Sequence, residues 1–515
     1  MQIFIISSSI LLILILTKLI HIIFWIPWTI GRSFKKQGIG GPPYHPIFGN
    51  TSEIRRMYAQ VQSKPIKHVT VDNETLLNHD ICHRVMPFYH EWSGQYGKTF
   101  LYWFGVRPMV AISDPDMIRE VLMNTNGSFK KIKHNPLARM LFGYGLVGLE
   151  GDKWAFHRRI ANQAFNMERV KSWIPDIVVS TSKTLTRWEE LRRGREEFEL
   201  EVNHELHSLS ADIISITAFG SCYEEGKRIF ELQEKQMHLV SLALRSVYIP
   251  GFRFLPTKRN KERKKLDYET REAIRSLMQK TKISGENSRN LLNLFMTTKD
   301  NDNVDNRKES SLTTDEVIEE CKTFYFAGKD TTANLLTWAL VLLAAHHEWQ
   351  EKARDEVFRV LGVNGLPTSH NINDFKLINM ILNETMRLYP PAVMMKRRTA
   401  KDVKLKDLLI PAETQLYLAM TAVHHDIKIW GEDANKFNPM RFSEPRNHLA
   451  SFFPFSLGPR VCVGQNLALV ESRIVLAMIL QQWCIKLSSS YVHAPMQLIT
   501  LQPQFGAHIL FRKVG

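Results

Sequence analysis

Residues 3–16 form an apolar run that only three consecutive serines interrupt, and apolar character resumes after Lys18. At ~1.5 Å per helical residue, the whole stretch is long enough to cross a hydrocarbon core of ~30 Å. Lys18 can extend its ammonium group to the headgroups, and an interfacial aromatic belt would contain Trp25 and Trp28. No cleavage site of the A-x-A type follows. The sequence therefore predicts a single uncleaved membrane anchor in residues 1–30.

Charge on the two sides of this run predicts the orientation of the anchor. No Lys or Arg precedes the run, whereas Arg32, Lys35 and Lys36 follow it closely. Because basic flanks remain on the cytosolic side of a membrane, the body of the protein is expected to face the cytosol. The five cysteines are few and scattered, which disfavours a disulfide framework and agrees with a reducing compartment. The net charge of +15 favours an anionic membrane surface, an acidic partner or nucleic acid.

Beyond the anchor, the chain reads as one large unit. Residues 31–50 are basic and rich in Pro and Gly, which predicts a stiff hinge. Residues 51–515 contain no repeat, no long linker and no sharp change in composition, so we expect one domain rather than three. The polar gap at residues 299–311 is expected to be a solvated loop, and Thr313 and Glu316 have the spacing of a capping box that begins the next helix.

Helical periodicity dominates this domain, and strand-like segments are short. The main helical patterns cover residues 169–193, 205–219, 228–247, 315–341 and 467–483. The strand-like patterns cover residues 100–104, 109–112, 403–405 and 508–511. The expected fold class is therefore mainly α with a small β part.

Cys462 lies between Gly458 and Gly464, shortly before an amphipathic helical pattern. At a helix N-terminus, backbone N–H groups and the helix dipole lower the pKa of a thiol, and Arg460 adds positive charge nearby. A buried structural cysteine is the alternative for Cys462 taken alone. The full spacing F-x-x-G-x-R-x-C-x-G, completed by Phe455, Gly458 and Gly464, favours a presented thiolate.

Two pairs of side chains at helical spacing stand out as well. Glu384 and Arg387 are three residues apart and so share a helix face, which by itself indicates a surface ion pair. Trp154 and Arg158 are four residues apart and so share a helix face as well.

The segment 327–332 (AGKDTT) places a glycine and two threonines beside an apolar helical pattern, where they are poor helix formers. Thr331 could donate to the Ala327 carbonyl four residues back and loosen the helix locally. The simpler alternative is an N-terminal helical turn or a weak internal kink. Lys329 is expected to face solvent.

Together, these residues resemble the cytochrome P-450 family. The loop matches that family's haem-binding loop at every defining position, which implies that Cys462 is the axial thiolate ligand of haem b iron. The resemblance also implies that Glu384 and Arg387 are buried, completed by Arg441, and support the fold. In the segment that carries Arg441, Met440 replaces the glutamate that the family more usually has.

The same resemblance assigns roles around the haem. Thr331 would stabilise the oxygen species bound to iron, and Asp330 would relay protons from solvent. The implied cofactor-binding residues are Phe455, Gly458, Arg460 and Gly464 of the loop, with Trp154, Arg158 and Arg397 as donors to the haem propionates. Arg159 and Arg398 directly follow two of these donors, so sequence alone does not separate the members of each pair.

The function implied is that of a microsomal monooxygenase, which inserts one oxygen atom of O2 into an apolar small molecule such as a hormone, terpenoid or xenobiotic. Electrons would come from an NADPH-dependent flavoprotein reductase, and the enzyme would lie in the endoplasmic reticulum membrane. Residues 88–104 and 151–165 look like the plant clan that contains brassinosteroid, gibberellin and cytokinin hydroxylases. Two alternatives are a haem-thiolate isomerase or dehydratase that needs no reductase and a non-catalytic membrane haem-binding protein.

Other patterns carry less weight. Residues 143–148 satisfy G-x-G-x-x-G, but no strand-like segment precedes them, which disfavours a dinucleotide site. The adjacent histidines at 346–347 and 424–425 have the wrong spacing for a helical metal site and are expected at the surface. The basic run 258–265 has no interleaved aromatics, so we expect a solvated helix face and no nucleic-acid partner.

Overall fold

The computed structural model describes residues 2–66, 69–71, 74–133, 135–220, 223–283, 290–300, 310–446 and 448–514. The helices are α1 Gln2–Ile20, α2 Ile26–Lys36, α3 Thr51–Gln62, α4 Cys82–Val85, α5 Pro87–Tyr96, α6 Pro115–Met123, α7 Arg139–Phe142, α8 Gly151–Ala164, α9 Met167–Ser172, α10 Ile174–Arg192, α11 Val202–Phe219, α12 Tyr223–Leu244, α13 Lys258–Ile283, α14 Leu291–Thr297, α15 Thr314–Ala345, α16 His347–Leu361, α17 Lys376–Leu388, α18 Met420–His424, α19 Ile427–Trp430 and α20 Gln465–Gln482. The strands are β1 Val69–Val71, β2 Glu74–Leu76, β3 Thr99–Phe104, β4 Arg107–Ile112, β5 Phe129–Lys130, β6 Glu197–Glu201, β7 Lys299–Asp300, β8 Ser310–Ser311, β9 Met395–Thr399, β10 Val403–Leu405, β11 Leu408–Ile410, β12 Gln415–Leu418, β13 Trp483–Leu487, β14 Pro495–Gln497, β15 Leu501–Pro503 and β16 His508–Lys513.

These elements confirm the predicted fold class, mainly α with a small β part. The longest helical pattern is observed as α15, and the capping box at its start is present: Thr313 accepts from the Glu316 backbone while Glu316 accepts from the Thr313 backbone. The short strand at 403–405 is observed with the predicted bounds. The predicted solvated loop lies mostly outside the described residues, and so does Cys222; the other four cysteines are free thiols.

The N-terminal segment is one continuous helix. A π-helical turn at His21–Trp25 joins α1 to α2, and the helix from Ile3 to Lys36 is long and apolar enough to cross a membrane. The first residues of the predicted hinge are therefore helical. The non-helical part that follows is held in place, because the Tyr44 hydroxyl donates to the Ile23 carbonyl (2.8 Å) and the Leu101 N–H donates to the Gly40 carbonyl (2.9 Å).

The β part is divided into small sheets. The largest has the strand order β3–β4–β12–β9–β5, in which β4 and β12 are parallel and the other pairs are antiparallel. A three-stranded antiparallel sheet has the order β13–β16–β6 and joins the C-terminal strand to the start of α11. The first of these sheets matters for function, because β9 carries the Arg397 and Arg398 pair.

The hydrophobic core is built around α15. This helix is buried along most of its length and packs against α11, α17 and α20. Its polar side chains therefore need partners inside the protein. Glu320 contacts His157 of α8 at 2.5 Å between Oε1 and Nδ1, and the Lys322 ammonium contacts Asp267 of α13 at 2.5 Å.

The G-x-G-x-x-G segment is a close-packed loop. It follows α7 rather than a strand, so it lacks the strand that a dinucleotide-binding loop requires. Gly143 has φ +73°, and a Cβ atom there would lie 2.2 Å from the Glu319 carbonyl oxygen. A Cβ atom at Gly145 would lie 2.6 Å from Oε2 of Glu320. The glycines thus allow this loop to contact α15 directly.

Glu471 links the helix after the Cys462 loop to α11. Its carboxyl oxygen Oε1 accepts from the Ser210 hydroxyl at 2.9 Å, and both side chains are buried. Burial raises the pKa of Glu471 from 4.5 to about 8, against a smaller opposing effect of the Ser210 hydrogen bond. The carboxyl group is therefore more easily protonated in the folded protein than in the unfolded chain.

Replacing Gly143 by alanine should lower the free energy of unfolding by about 3 kcal/mol, because the left-handed backbone and the collision with α15 both oppose a side chain. Gly127→Ala is the matched control, since Gly127 has φ +76° but no atom within 4 Å of an added Cβ. It should cost only about 1 kcal/mol. Denaturant unfolding of the two variants measures the difference. Equal losses would show that the contact with α15 contributes nothing.

The Glu471 carboxyl group should make stability depend on pH. Because the folded protein binds the proton more tightly, this contribution is greatest below pH 4.5 and declines as pH rises to about 8. Glu471→Gln should remove that decline, which amounts to a few kcal/mol because each unit of pKa difference corresponds to ~1.4 kcal/mol. Glu444→Gln is the control, because Glu444 is exposed, and this variant should retain the decline in stability. Denaturant unfolding across this pH range is the measurement, and an unchanged slope in Glu471→Gln would contradict the prediction.

Candidate active site

The loop before α20 is fixed by its backbone. Gly458 has φ +69°, and a Cβ atom there would lie 2.4 Å from the Leu122 carbonyl oxygen, so no side chain fits. The Cys462 N–H donates to the Phe455 carbonyl at 2.8 Å and closes the loop. Gly464 is the residue that precedes the first turn of α20, and a Cβ there would meet no atom within 4 Å. These constraints place Cys462 at the N-terminal end of α20.

Cys462 is an exposed residue, and yet the protein around its thiol is dense enough for burial to dominate its acidity. The expectation of a lowered thiol pKa is wrong for the free thiol, because burial raises the pKa of Cys462. The N–H groups of Gly464 and Gln465 and the charge of Arg158 oppose that rise. A metal cation beside the sulfur would reverse the balance, because a coordinating thiol is deprotonated outright.

Cationic side chains converge near this loop. The Arg460 guanidinium lies over the Trp154 ring, 4.0 Å from its centroid, and donates to the Leu149 carbonyl at 2.9 Å. Arg158 donates to the Val461 carbonyl at 2.6 Å. In the described parts of the chain, neither arginine has a carboxylate oxygen within 4.0 Å. The positive charges of these two arginines are therefore available to an anionic group that is not part of the protein.

The structure separates Arg397 from Arg398. Arg398 pairs with Glu413 at 2.7 Å and approaches Glu150 at 3.5 Å. Arg397 is 5% exposed, and its one hydrogen bond to a described residue goes to the Lys396 carbonyl (2.9 Å). Burial and the nearby Arg460 lower the pKa of Arg397 to about 10. Arg397 is thus the member of the pair whose charge is uncompensated.

Lys131 also belongs to this cationic group and is not among the residues predicted from the sequence. Burial, Arg397 and Arg460 together lower its pKa to about 7. The pairing of β5 with β9 brings it there, since Lys130 lies opposite Arg398 in that ladder. No local motif marks Lys131, because its position depends on a strand pairing between distant segments.

The Glu384 carboxylate is the centre of a buried ion cluster. Arg387 donates to both of its oxygens, at 2.7 and 2.8 Å, and Arg441 donates to one of them at 3.3 Å. Arg387 also donates to the carbonyls of His424 and Ala434. Glu384 and Arg387 are fully buried, so the pair is not the surface ion pair that its spacing alone indicates. Each charge in the cluster has a partner.

Asp330 and Thr331 lie in the middle of α15 rather than at its start. Thr331 donates to the Ala327 carbonyl at 2.7 Å, as the sequence predicted. Asp330 is 3% exposed, accepts a hydrogen bond from Thr500 at one carboxylate oxygen, and has its pKa raised by burial. The helix α15, which carries both residues, packs against α20, and α20 is the helix that follows the Cys462 loop.

Several sequence expectations about polar side chains are wrong. His424 and His425 are buried rather than at the surface: the His424 carbonyl accepts from Arg387, and Nε2 of the His425 ring hydrogen-bonds the Leu388 carbonyl of α17 at 2.9 Å. His346 is half-buried and contacts Nε2 of His79 at 3.2 Å. Lys329 is also half-buried, since its side chain lies over the Phe230 ring.

These donors fit a haem group. An accessible thiol at a helix N-terminus suits an iron ligand, and arginines without a carboxylate partner among the described residues suit the two propionates, which are carboxylates. The residues that would hold the group are Cys462 for the iron and Trp154, Arg158, Arg397, Arg460 and Lys131 for the propionates.

Comparison with known proteins agrees. The sequence profile of the family described as Cytochrome P-450 matches residues 75–507. The chain is 42% identical to cytochrome P-450 734A6 of Oryza sativa subsp. japonica, over 96% of this chain and 93% of that protein. It is 41% identical to cytochrome P-450 734A1 of Arabidopsis thaliana (98% and 96%) and 41% identical to cytochrome P-450 CYP72A219 of Panax ginseng (95% and 94%).

Among solved structures, the retinoic acid bound cyanobacterial CYP120A1 superposes with a TM-score of 0.74. The match covers 83% of this chain and 94% of that one at 19% identity, which shows a shared fold. The chain therefore belongs to the cytochrome P-450 family, whose members are monooxygenases that hold haem iron through a cysteine thiolate.

Proposed function

We propose that Cys462 is the thiolate ligand of haem iron and that the protein hydroxylates an apolar small molecule of the hormone, terpenoid or xenobiotic type. The observation that carries the assignment is the Cys462 thiol, which is accessible, is approached by two backbone N–H groups, and lies near arginines that have no carboxylate partner among the described residues. The relatives of plant origin support a hydroxylase of the clan that acts on brassinosteroids, gibberellins and cytokinins.

The haem group, when bound, supplies the activation of O2 and the oxidation of the substrate C–H bond. The chain's own residues hold that group and handle protons. Arg158, Arg397 and Arg460 neutralise the propionates, while the N–H groups of Gly464 and Gln465 stabilise negative charge on sulfur. The cluster of Glu384, Arg387 and Arg441 fixes the segment that packs beside α17 and is assigned to the fold rather than to chemistry.

Proton handling falls to Asp330 and Thr331. Burial disfavours the charged form of Asp330, so this carboxyl can hold a proton closer to neutral pH than an exposed carboxyl can. The Thr331 hydroxyl is anchored on the Ala327 carbonyl, which orients its oxygen for accepting a hydrogen bond. This acid–alcohol pair supports a monooxygenase over an isomerase or dehydratase that needs no external electrons, and over a haem-binding protein without activity.

The cellular setting follows from the anchor. Residues 1–30 would cross the endoplasmic reticulum membrane once, and residues 31–50 would connect the anchor to a cytosolic catalytic domain, residues 51–515. The apolar, unburied first part of the helix from Ile3 to Lys36 supports the anchor, and Phe34 near the end of this helix is buried in the core of the domain that follows. An NADPH-dependent flavoprotein reductase would supply electrons, and the net charge of +15 suits both an acidic partner and anionic lipid.

The carbon monoxide difference spectrum of the reduced protein tests the ligand. The wild-type protein should show the red-shifted Soret band of a thiolate-ligated haem, and Cys462→His should lose it because imidazole replaces the thiolate. Cys484→Ser is the control, since Cys484 is a half-buried thiol in β13, outside the Cys462 loop, and its replacement should leave the band unchanged. A band that survives in Cys462→His, or haem binding without this band in the wild type, would exclude Cys462 as ligand.

Replacing Thr331 by alanine should divert electrons from product to hydrogen peroxide. We expect product formed per NADPH consumed to fall roughly tenfold, because groups that position a transferred proton contribute ~100-fold or more to such steps and water can replace part of the Thr331 hydroxyl's role. The ratio of product to NADPH, measured with reductase, is the readout. Thr217→Ala is the control, because Thr217 makes the same hydroxyl-to-carbonyl bond (2.7 Å, to Ile213) within α11. Unchanged coupling in Thr331→Ala would reject the role.

A further inference from the structure

A polar cavity of about 650 Å³ lies beside α15, between that helix, α11 and α12. Charged side chains line its outer part, including Arg187 and Glu234, whose side chains are 49% and 68% exposed. The deepest titratable groups in its wall are His207 and Asp330, with side chains 14% and 5% exposed. The cavity therefore leads from the surface to the carboxyl group that the proposed function assigns to proton handling.

One oxygen of Asp330 is already engaged, and the other faces His207. The Thr500 hydroxyl donates to Oδ2, and the Asn334 amide holds both the Asp330 carbonyl (2.8 Å) and the Thr500 hydroxyl (3.2 Å) in place. Oδ1 lies 3.9 Å from Nδ1 of His207. That separation is longer than a direct hydrogen bond. A small movement of either side chain would allow a direct bond, and one water molecule can bridge the two atoms.

His207 is chemically suited to pass a proton. Burial, assisted by the charge of Lys329, lowers the pKa of His207 to about 3, so its ring is neutral at neutral pH. A neutral imidazole has one nitrogen that donates and one that accepts. It can therefore take a proton on one side while it releases another on the opposite side, without keeping a charge in a buried place.

The other charged groups of the cavity are less well placed. The Lys329 ammonium lies 4.0 Å from the Glu234 carboxylate and over the Phe230 ring, so it is directed along the cavity wall towards α12. Glu234 is mostly exposed. Among the described residues, His207 is thus the titratable side chain closest to the open oxygen of Asp330.

We propose that His207 connects Asp330 to the water of this cavity and so sets the rate at which that carboxyl group is reprotonated. A proton from cavity water binds Nε2 while the Nδ1 proton passes to Oδ1 of Asp330, and the ring ends neutral as the other tautomer. Exchange back through water restores the first tautomer. His207 is a positioning residue in this scheme, since it acts through Asp330. The inference rests on the proposed role of Asp330 as a proton carrier.

Infrared spectroscopy of the resting enzyme gives a readout that does not depend on turnover. The C=O stretching band of protonated Asp330 is the band that Asp330→Asn loses, and transfer to D2O shifts it as the carboxyl proton exchanges. His207→Asn keeps an amide near the Nδ1 position but cannot pass a proton, and His207→Phe removes the polar group. We expect both to slow the exchange roughly tenfold, within the range of a positioned acid or base.

Turnover provides the second measurement. Both His207 variants should lower product per NADPH and increase the solvent deuterium isotope effect. His204→Asn is the matched control, because His204 is one turn away on α11 and its side chain is 80% exposed at the cavity rim. It should match the wild type in exchange rate and isotope effect.

The outcomes separate the two proposals. An unchanged exchange rate and isotope effect in both His207 variants would overturn the inference. A change in His207→Phe but not in His207→Asn would also overturn it, because His207 would then only hold Asp330 in place. The absence of a protonated Asp330 band at every pH where the protein is folded would also overturn it. If Asp330→Asn retains full coupling, the role of Asp330 in the proposed function fails; if it uncouples while the His207 variants do not, only the His207 inference fails.

Discussion

The burial of α15 is the constraint on which the rest of the structure depends. A helix that runs through the core exposes little of its surface to water, so each polar side chain it carries needs a partner from a neighbouring element. Glu320 meets His157 of α8, and Lys322 meets Asp267 of α13. These contacts fix the orientation of α15 about its own axis, and in that orientation Asp330 lines the cavity beside α11.

Charge compensation distinguishes the parts of the core that support the fold from those prepared for a ligand. Around Glu384, both arginines are matched by its carboxylate and by backbone carbonyls, so the cluster is complete within the protein. Around the Cys462 loop, by contrast, Arg397 and Arg460 have no carboxylate partner at ion-pair distance in the described chain. Buried charge without a partner is unfavourable, which supports the proposal that an acidic prosthetic group completes this region.

Much of the site could be predicted because it depends on short spacings. The Cys462 loop, the Thr313–Glu316 capping box and the Thr331 hydroxyl bonded to Ala327 are all local patterns, set by backbone geometry within a few residues. The misplaced residues are those whose environment comes from elsewhere in the chain. His424 is buried because α17 packs against it, and the pKa of the Cys462 thiol is raised because surrounding segments remove it from water.

The amino-acid sequence by itself determined the apolar N-terminal helix and the mainly helical fold, through periodicity along single segments. Its short motifs identified the family by resemblance and predicted Cys462 as the thiol ligand. Only the tertiary structure decided that Arg397 rather than Arg398 has free charge, that Lys131 joins it, and that His207 faces Asp330. The physical reason is that these relations join segments far apart in the chain, where packing and desolvation set the contacts and no local pattern records them.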